Sequence, residues 1–229
     1  MLLCDIGNSN ANFLDDNKYF TLNIDQFLEF KNEQKIFYIN VNEHLKEHLK
    51  NQKNFINLEP YFLFDTIYQG LGIDRIAACY TIEDGVVVDA GSAITIDIIS
   101  NSIHLGGFIL PGIANYKKIY SHISPRLKSE FNTQVSLDAF PQKTMDALSY
   151  GVFKGIYLLI KDAAQNKKLY FTGGDGQFLA NYFDHAIYDK LLIFRGMKMI
   201  IKPKFRFLNI YVNAVFKSYF ICFFAHFTL

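Results

Sequence analysis

The feature that most constrains this chain is a pattern that occurs twice: an apolar, strand-like run followed by Asp-x-Gly and small polar residues. The two copies read LLCDIGNSN and VVVDAGSAI, and their aspartates, Asp5 and Asp89, lie 84 residues apart. A third apolar run, LYFTGGDG, also ends in a glycine turn. Each copy predicts a buried strand that ends in a tight turn. The repeat favours two similar halves, which we predict as a first domain over 1–83 and a second over 84–204.

The composition of these turns suits a phosphate ligand. Glycine lets backbone N–H groups approach a phosphate because no side chain stands in the way. Ser and Asn add neutral donors, and an Asp at a strand end can hold a hydrated cation that bridges phosphate oxygens. Two such turns that face each other across a cleft would hold a nucleoside triphosphate from both sides. A single Asp-x-Gly is also ordinary turn chemistry, so the indication rests on the recurrence.

Apolar periodicity predicts the elements around these turns. Apolar runs predict strands at MLLCDI, ANFLDD, KYFTLNI, KIFYINV, GVVVDA, AITIDIIS and KKLYFT. Helical spacing predicts helices at DQFLEFKN, NEHLKEHLKNQ, DRIAACYTI, NYKKIYSHI, QFLANYF and, longest of all, KTMDALSYGVFKGIYLLIKDAAQN. Asp74 would be the N-cap of the helix in DRIAACYTI. The glycine-rich SIHLGGFILPGI predicts a tight loop, and SPRLKSEFNTQVSLDAFPQK predicts an irregular segment.

Charge and cysteine content exclude several classes of protein. The formal net charge is +1, which leaves no electrostatic footprint for nucleic acid. The three cysteines are far apart and form no CxxC metal pair or disulfide framework, so a reducing cytoplasm fits best. No basic segment precedes the first apolar run, so we expect no signal peptide and no membrane partner. The HLKEH motif at His44–His48 matches an inverted zincin pattern, but a solvated, lysine-rich helix face explains it without metal.

Six segments, taken in order, resemble type III pantothenate kinases: DIGNS, GIDR, DAGSAITID, GGFILPG, KTMDALSYG and TGG. This family is part of the actin, sugar kinase and heat-shock chaperone superfamily, and the likeness spans about 1–197. It implies an α/β fold of two duplicated actin-like (ribonuclease H-like) domains around an ATP cleft. It also implies a homodimer that uses ATP to phosphorylate pantothenate to 4′-phosphopantothenate, the first step of coenzyme A biosynthesis.

The resemblance implies that Asp74 is the catalytic base. A kinase that acts on an alcohol needs a carboxylate to accept the hydroxyl proton, and an adjacent Arg75 can pair with the carboxylate of pantothenate. From the residues alone, Asp74 could equally cap its helix while Arg75 points to solvent. Thr144 could likewise be only the N-cap of the long helix. The substrate-binding residues implied by the family are Tyr68, Gly72, Ile73, Asp74, Arg75 and Thr144.

The resemblance also implies the nucleotide and cation sites. Asp5 would lie near Mg²⁺, and Asp89 would bind a monovalent cation, K⁺ or NH₄⁺. Many family members carry a Lys just after the first turn, where 10–13 has none, so a phosphate contact is missing or supplied elsewhere. Asp97 would orient the second turn or be structural only, and Gly106, Gly107, Pro111 and Gly112 would shape the wall of the substrate pocket. The implied ATP-binding residues are Asp5, Ile6, Gly7, Asn8, Ser9, Asn10, Ala11, Asn12, Ser92, Thr172, Gly173 and Gly174.

Two alternatives and one segment stay open. The chain could be another kinase of the superfamily that acts on a sugar, or a nucleotide-binding accessory factor for transcription. The aromatic tail at 205–229 does not match what we expect at this family's C-terminus. It could be a late frameshifted end, a partner-binding helix or an interfacial anchor. Its uncharged run from Ser218 has 12 residues, which is too short to span a bilayer.

Overall fold

The computed structural model describes residues 1–201, so the predicted tail at 205–229 lies outside the described residues. The strands and helices form two consecutive groups, and each group begins with the strand of one repeated motif. The strands are β1 (Leu2–Ile6), β2 (Asn10–Asp15), β3 (Lys18–Asn23), β4 (Ile36–Asn40), β5 (Phe55–Asn57), β6 (Gly85–Ala90), β7 (Ala93–Ser100), β8 (Ile103–Pro111), β9 (Leu169–Thr172) and β10 (Ile187–Tyr188). The helices are α1 (Ile24–Glu29), α2 (Lys46–Lys50), α3 (Ile73–Cys79), α4 (Ile113–Ile123), α5 (Thr144–Ala164), α6 (Gly176–Ala180) and α7 (Leu192–Ile201).

The two sheets have the same topology. The first has the strand order β3-β2-β1-β4-β5 and the second, read from its β8 edge, has the order β8-β7-β6-β9-β10. In each, the first three strands are antiparallel, and the two that follow run parallel to the first. Asp5 on β1 and Asp89 on β6 therefore occupy equivalent places, one residue before the end of equivalent strands. The prediction of a duplicated, actin-like α/β fold is confirmed.

Three apolar clusters hold these sheets. One lies between the first sheet and its helices α1 and α2, and another lies between the second sheet and helices α5 and α6. The third, which we call the central layer, joins side chains from both sheets to helices α3 and α7. Within it α7 packs on α3 so closely that a Cβ on Gly196 would lie 2.1 Å from the carbonyl oxygen of Ala77. Burial of this shared layer couples the two halves.

Most predicted elements are present, including the longest helix, α5, and the two strands, β6 and β7, around the second turn. The helix predicted at NEHLKEHLKNQ divides into a 3₁₀ turn at Glu43–Leu45 and α2. The irregular segment is confirmed apart from a 3₁₀ turn at Pro125–Leu127. The division between the predicted domains falls in the connection from α3 to β6, and its position stays a prediction. No helix within 1–201 is both long and apolar enough to cross a membrane.

Three local predictions were wrong. SIHLGGFILPGI is not a loop but the edge strand β8, because its glycines fit a bulge and a close strand contact rather than breaking the strand. Asp74 is not an N-cap, since Gly72 takes that position and α3 begins at Ile73. Thr144 is not an N-cap either, because α5 begins at Thr144 itself and Lys143 precedes it without a side-chain cap bond.

Candidate active site

The first turn joins β1 to β2 and is closed by its own backbone. Gly7 N–H donates to the carbonyl oxygen of Asn10 at 2.9 Å, which leaves Asn8, Ser9 and Asn10 exposed. The segment that follows β4 supports the turn from the side, because Asn42 Nδ2 donates to the carbonyl oxygen of Asn8 at 3.5 Å. The exposed amides and hydroxyl of this turn are the kind of donors that an anion needs.

The second turn, between β6 and β7, is as tight as the first. Gly91 N–H donates to the carbonyl oxygen of Ala93 at 2.9 Å, and Ser92 is exposed. The start of α4 packs directly against it: a Cβ on Gly112 would lie 2.3 Å from the oxygen of Gly91, and Asn115 Nδ2 donates to the oxygen of Ser92 at 2.7 Å. Gly112 is therefore required by a close backbone approach that fixes this turn.

The TGG turn lies beside Asp89, as the motif order predicts for a shared nucleotide site. Thr172 is buried and pairs with Asp89 across the parallel strands β6 and β9. Gly173 has a φ of +84°, and a Cβ there would lie 2.4 Å from Asp89 Oδ1 and 2.5 Å from the oxygen of Ala90. Glycine is therefore needed here both for the backbone conformation and for space.

Asp5, Asp74 and Asp89 come from the two sheets and the central layer into one electrostatic environment. Burial, followed by the charge of Asp74, raises the pKa of Asp5 to about 7, and a hydrogen bond from Asn12 opposes this rise. Burial, followed by the charges of Asp5 and Asp74, raises the pKa of Asp89 to about 7. Because Asp74 raises the pKa of Asp5 and both raise the pKa of Asp89, the three side chains lie near enough to interact electrostatically.

Asp74 lies in the first turn of α3, with its carboxylate folded back towards the helix start. The backbone N–H of Arg75 donates to Asp74 Oδ1 at 2.7 Å. A Cβ on Gly72 would lie 2.5 Å from the same oxygen, so glycine leaves the space that the carboxylate occupies. Burial is the main cause that raises the pKa of Asp74. A carboxylate with a raised pKa is a stronger proton acceptor once it is ionised.

Arg75 does not point to solvent: its side chain is buried, and the structure pairs it with Asp97. Arg75 Nη2 donates to Asp97 Oδ1 at 2.7 Å, and Arg75 Nε lies 3.0 Å from Asp97 Oδ2. Burial lowers the pKa of Arg75, but the hydrogen bonds and charge of Asp97 outweigh it, and the pKa is raised overall. His104 Nε2 donates to the same Asp97 oxygen at 2.8 Å. Asp97 thus binds Arg75 and His104 rather than the second turn.

The other predicted site residues differ in how closely they approach the three carboxylates. The Arg75 guanidinium lies 4.9 Å from the ring centre of Tyr68, so Tyr68 and Arg75 form one group. The side chains of Ile6 and Ala11 are fully buried in the core, which leaves only their backbone for a ligand. Thr144 is exposed, and no contact within 1–201 joins it to the three carboxylates.

The carboxylate oxygens of Asp5 and Asp89 suit hydrated cations. Within 1–201, no ion pair links Asp5 or Asp89 to a basic side chain, and their carboxylate oxygens are the ligands that Mg²⁺ and K⁺ prefer. No three His, Cys, Asp or Glu side chains in the described part of the chain converge to hold a metal by themselves. A cation here would therefore need water or phosphate oxygens to complete its coordination.

A lysine from the second half lies near the strand that follows the first turn. Lys190 Nζ lies 3.8 Å from the ring centre of Tyr19, whose hydroxyl donates to Asn12 Oδ1 at 3.0 Å. Asn12 Nδ2 in turn donates to Asp5 Oδ2 at 3.3 Å. The sequence did not indicate Lys190, because it is 180 residues from the turn and carries no motif.

Comparison with known proteins gives a consistent family. The family model described as type III pantothenate kinase matches residues 63–166. A type III pantothenate kinase from Campylobacter jejuni (strain RM1221) is 98% identical over 202 residues, covering 88% of this chain and 97% of that protein. A type III pantothenate kinase from Campylobacter hominis is 48% identical over 205 residues, covering 89% of this chain and 99% of that protein.

A solved structure carries a different name. It is a conserved Baf family transcriptional activator from Campylobacter jejuni, with 93% sequence identity, a TM-score of 0.84, and coverage of 89% of this chain and 98% of that one. The identity and coverage of the curated relatives, together with the duplicated fold and the converging aspartates, decide the assignment. The chain belongs to the type III pantothenate kinase family.

Proposed function

We propose that this chain uses ATP to phosphorylate the terminal hydroxyl of pantothenate, giving 4′-phosphopantothenate, the first step of coenzyme A biosynthesis. The observation that supports this is the mutual electrostatic influence of Asp74 and the aspartates of the two glycine turns, Asp5 and Asp89, in a family member. A cleft with three carboxylates and exposed backbone donors suits a triphosphate that arrives with cations.

The two turns would hold the phosphates of ATP. Asn8, Ser9 and Ser92 offer exposed donors, and Gly173 and Gly174 would lie beside the nucleotide. Asp5 would hold Mg²⁺ and Asp89 a monovalent cation, K⁺ or NH₄⁺. Bound cations supply charge neutralisation for the phosphate oxygens. In their presence both carboxylates ionise, because an opposite charge favours the ionised form.

Asp74 would act as the general base. As the acceptor oxygen forms its bond to the γ-phosphorus, the bond to the ADP oxygen breaks and the hydroxyl proton moves to Asp74. Tyr68 and the segment 72–75 would line the acceptor side. Since two nitrogens of Arg75 already face Asp97, its role towards the substrate carboxylate is limited to the remaining N–H groups.

Lys190 would supply the phosphate contact that the first turn lacks. It reaches the first half from the connection between β10 and α7, and it is exposed on the ring of Tyr19. A flexible, exposed ammonium at this place can move to an incoming phosphate at low cost.

The proposal also includes that this chain forms a homodimer and acts in the cytoplasm. Strand β8 forms an edge of the second sheet, where Ile103 and Leu105 are about half exposed, and Ile119 and Ile123 are exposed on α4. Exposed apolar side chains at a sheet edge favour an interface. Cys4 and Cys79 are buried free thiols, which suits a reducing compartment.

The test is a coupled assay of ADP release with pantothenate, Mg²⁺ and ATP, with and without K⁺. We expect release that needs pantothenate and increases with K⁺. Asp74→Asn keeps the shape but removes the base, so we expect kcat to fall by about 10²- to 10⁴-fold with ATP binding retained. Asp162→Asn, an exposed change on α5, is the control. Unchanged turnover of Asp74→Asn would contradict the mechanism.

The same assay decides the alternatives. A sugar kinase would release ADP with sugars and not with pantothenate. The name of the solved relative favours a regulator, which would bind ATP without phosphoryl transfer even with K⁺ and Mg²⁺ present.

A further inference from the structure

A buried chain of polar side chains links Arg75 to the loop that carries Tyr68. Asp97 accepts from Arg75 and from His104 Nε2, as described above, and all three side chains are at most 5% exposed. His104 Nδ1 meets Thr66 Oγ1 at 2.7 Å, and the same hydroxyl oxygen accepts from Tyr68 N–H at 3.0 Å. The carboxylate only accepts, so Nε2 must carry a hydrogen, and both ring nitrogens are engaged.

A β-bulge places His104 in this chain. Along β7 and β8, Ile98 pairs with Gly106 and Ile99 pairs with His104, which leaves Leu105 as an extra residue. In a regular register without the bulge, Leu105 would stand opposite Ile99, and His104 would stand opposite Ser100 and point to the other face of the sheet. Gly106, with a φ of +142°, accommodates the bulge. The bulge therefore aims His104 at Asp97.

A second glycine makes room for the ion pair. A Cβ on Gly107 would lie 2.7 Å from both Arg75 Nη2 and Asp97 Oδ1, and 2.3 Å from the oxygen of Ile96. Two adjacent glycines of β8 thus serve one arrangement of side chains. Such local backbone features are typical of positions beside an active site.

We infer that His104 and Thr66 are positioning residues for the phosphoryl acceptor, an inference that rests on the proposed function. The His104 ring holds Asp97 against Arg75 and fixes the Thr66 hydroxyl, while a backbone bond from His104 N–H to the carbonyl oxygen of Asp65 at 3.0 Å holds the start of the loop at 65–68. Arg75 in turn contacts the Tyr68 ring through its guanidinium and the Asp74 carboxylate through its backbone N–H. The acceptor side of the cleft is therefore fixed by the relay of Thr66, His104, Asp97 and Arg75.

The relay does not include the nucleotide turns. Removing the imidazole would leave Asp97 with Arg75 alone, free to pivot, and would release Thr66 from its ring partner. Both changes loosen Tyr68 and the start of α3, whereas the turns at 7–10 and 91–92 keep their own hydrogen bonds. The loss should therefore appear in the KM for pantothenate and in kcat, and not in the KM for ATP.

The test compares full-length variants in steady-state kinetics with each substrate varied. His104→Phe keeps a ring beside Phe64, 5.9 Å away, but loses both hydrogen bonds, while His104→Gln keeps a donor that reaches Asp97. Thr66→Val removes only the hydroxyl at the far end of the relay. His44→Phe, at an exposed histidine in the 3₁₀ turn before α2, is the matched control.

We expect His104→Phe to raise the KM for pantothenate about tenfold or more while the KM for ATP stays within about twofold. His104→Gln should recover most of the loss, Thr66→Val should show a smaller change in the same parameter, and His44→Phe should show none. Equal kinetics of His104→Phe and wild type would overturn the inference. So would an equal loss in both KM values with no recovery by His104→Gln, since that is a general packing defect.

The two proposals fail differently. If the wild-type protein releases no ADP with pantothenate, the proposed function is wrong. If the wild type is active and the variants do not separate the two KM values, the function stands and the positioning role is wrong. Melting temperature, measured for each variant, identifies any that are unfolded, and Thr66→Val then carries the test.

Discussion

At the scale of single residues, the environment of Asp5 and Asp89 opposes the ionisation of both carboxyl groups. Each has a pKa of about 7 because burial and neighbouring carboxylates oppose its ionisation. The folded-state pKa of each group thus lies above the unfolded value of about 4. The group's contribution to stability is therefore fully present below about pH 4 and is lost as the pH rises through 7. The cation-free protein should therefore become less stable from acidic to alkaline pH.

Asp89→Asn tests this sign. Because the substitution removes one of the repelling charges, the melting temperature of the cation-free variant should exceed that of the wild type at about pH 8.5 and approach it at about pH 5.5. Activity should be lost in the same variant. Mg²⁺ and K⁺ should raise the wild-type melting temperature at about pH 8.5 more than that of Asp89→Asn.

Thermal melts at both pH values check this prediction, with Asp162→Asn as the control for a change of net charge. A wild-type melting temperature that rises from about pH 5.5 to 8.5, with the same slope in Asp89→Asn, would contradict it.

Single residues also show which parts of the candidate site could be predicted from the sequence. Asp5 and Asp89 could be predicted because each stands two residues before a glycine at a strand end, and turn chemistry is local, whereas the role of Asp74 came from the family resemblance. His104 could not be predicted from residue spacing, since its partners Asp97 and Thr66 are 7 and 38 residues away and no spacing rule joins them. The pair of glycines after His104 was the signal that could have found it.

At the scale of elements, the contact between α3 and α7 decides whether the central layer forms. Gly196 on α7 touches the backbone of Ala77 on α3, so no side chain fits between the helices. Gly155 on α5 is different, because nothing lies within 4 Å of a Cβ added there. These two glycines make a matched pair for measuring what the close approach requires.

We expect opposite effects from the same change at the two positions. Gly196→Ala should lower the free energy of unfolding by about 1–3 kcal/mol, since it overpacks the helix contact. Gly155→Ala should raise it by about 0.5–1 kcal/mol, because alanine favours the helix where space is free. Denaturant unfolding measures both. A stabilising Gly196→Ala would show that α7 does not need the close contact.

Element prediction succeeded where periodicity was strong and failed where glycine was read as a breaker. The strands around both turns and α5 follow from their apolar patterns. β8 was missed because Gly106 and Gly107 suggest a loop, whereas one serves a bulge and the other a close approach between strands. The α3 start was misplaced by two residues because Asp74 is a good cap by type, yet Gly72 already has the extended backbone of an N-cap.

At the scale of the whole molecule, the duplicated topology could be predicted from two nine-residue motifs, while the way the halves join could not. The repeat indicates two similar halves and the family resemblance implies their fold, but the central layer depends on α7, which carries no repeated motif. Contacts between elements that are far apart in sequence leave little trace in local patterns.

The proposed homodimer is tested at this scale. We expect light scattering with size exclusion to give twice the chain mass of 26.4 kDa. Leu105→Lys on the edge strand β8 should shift the protein towards the monomer, because it puts a charge on an apolar interface. Ile187→Lys on β10, the opposite edge of the same sheet, should leave the dimer intact. A wild-type monomer, or equal behaviour of the two variants, would contradict the placement of the interface.

The packing of α7 on β1 and α3 bears on when the protein can mature during synthesis. The first sheet leaves the ribosome early, but one of its faces stays uncovered until the segment at 192–201 has been translated. Its nascent chain therefore exposes apolar surface for most of translation, the situation in which chaperones bind. A message truncated before 192 should yield an aggregating product rather than a smaller folded one.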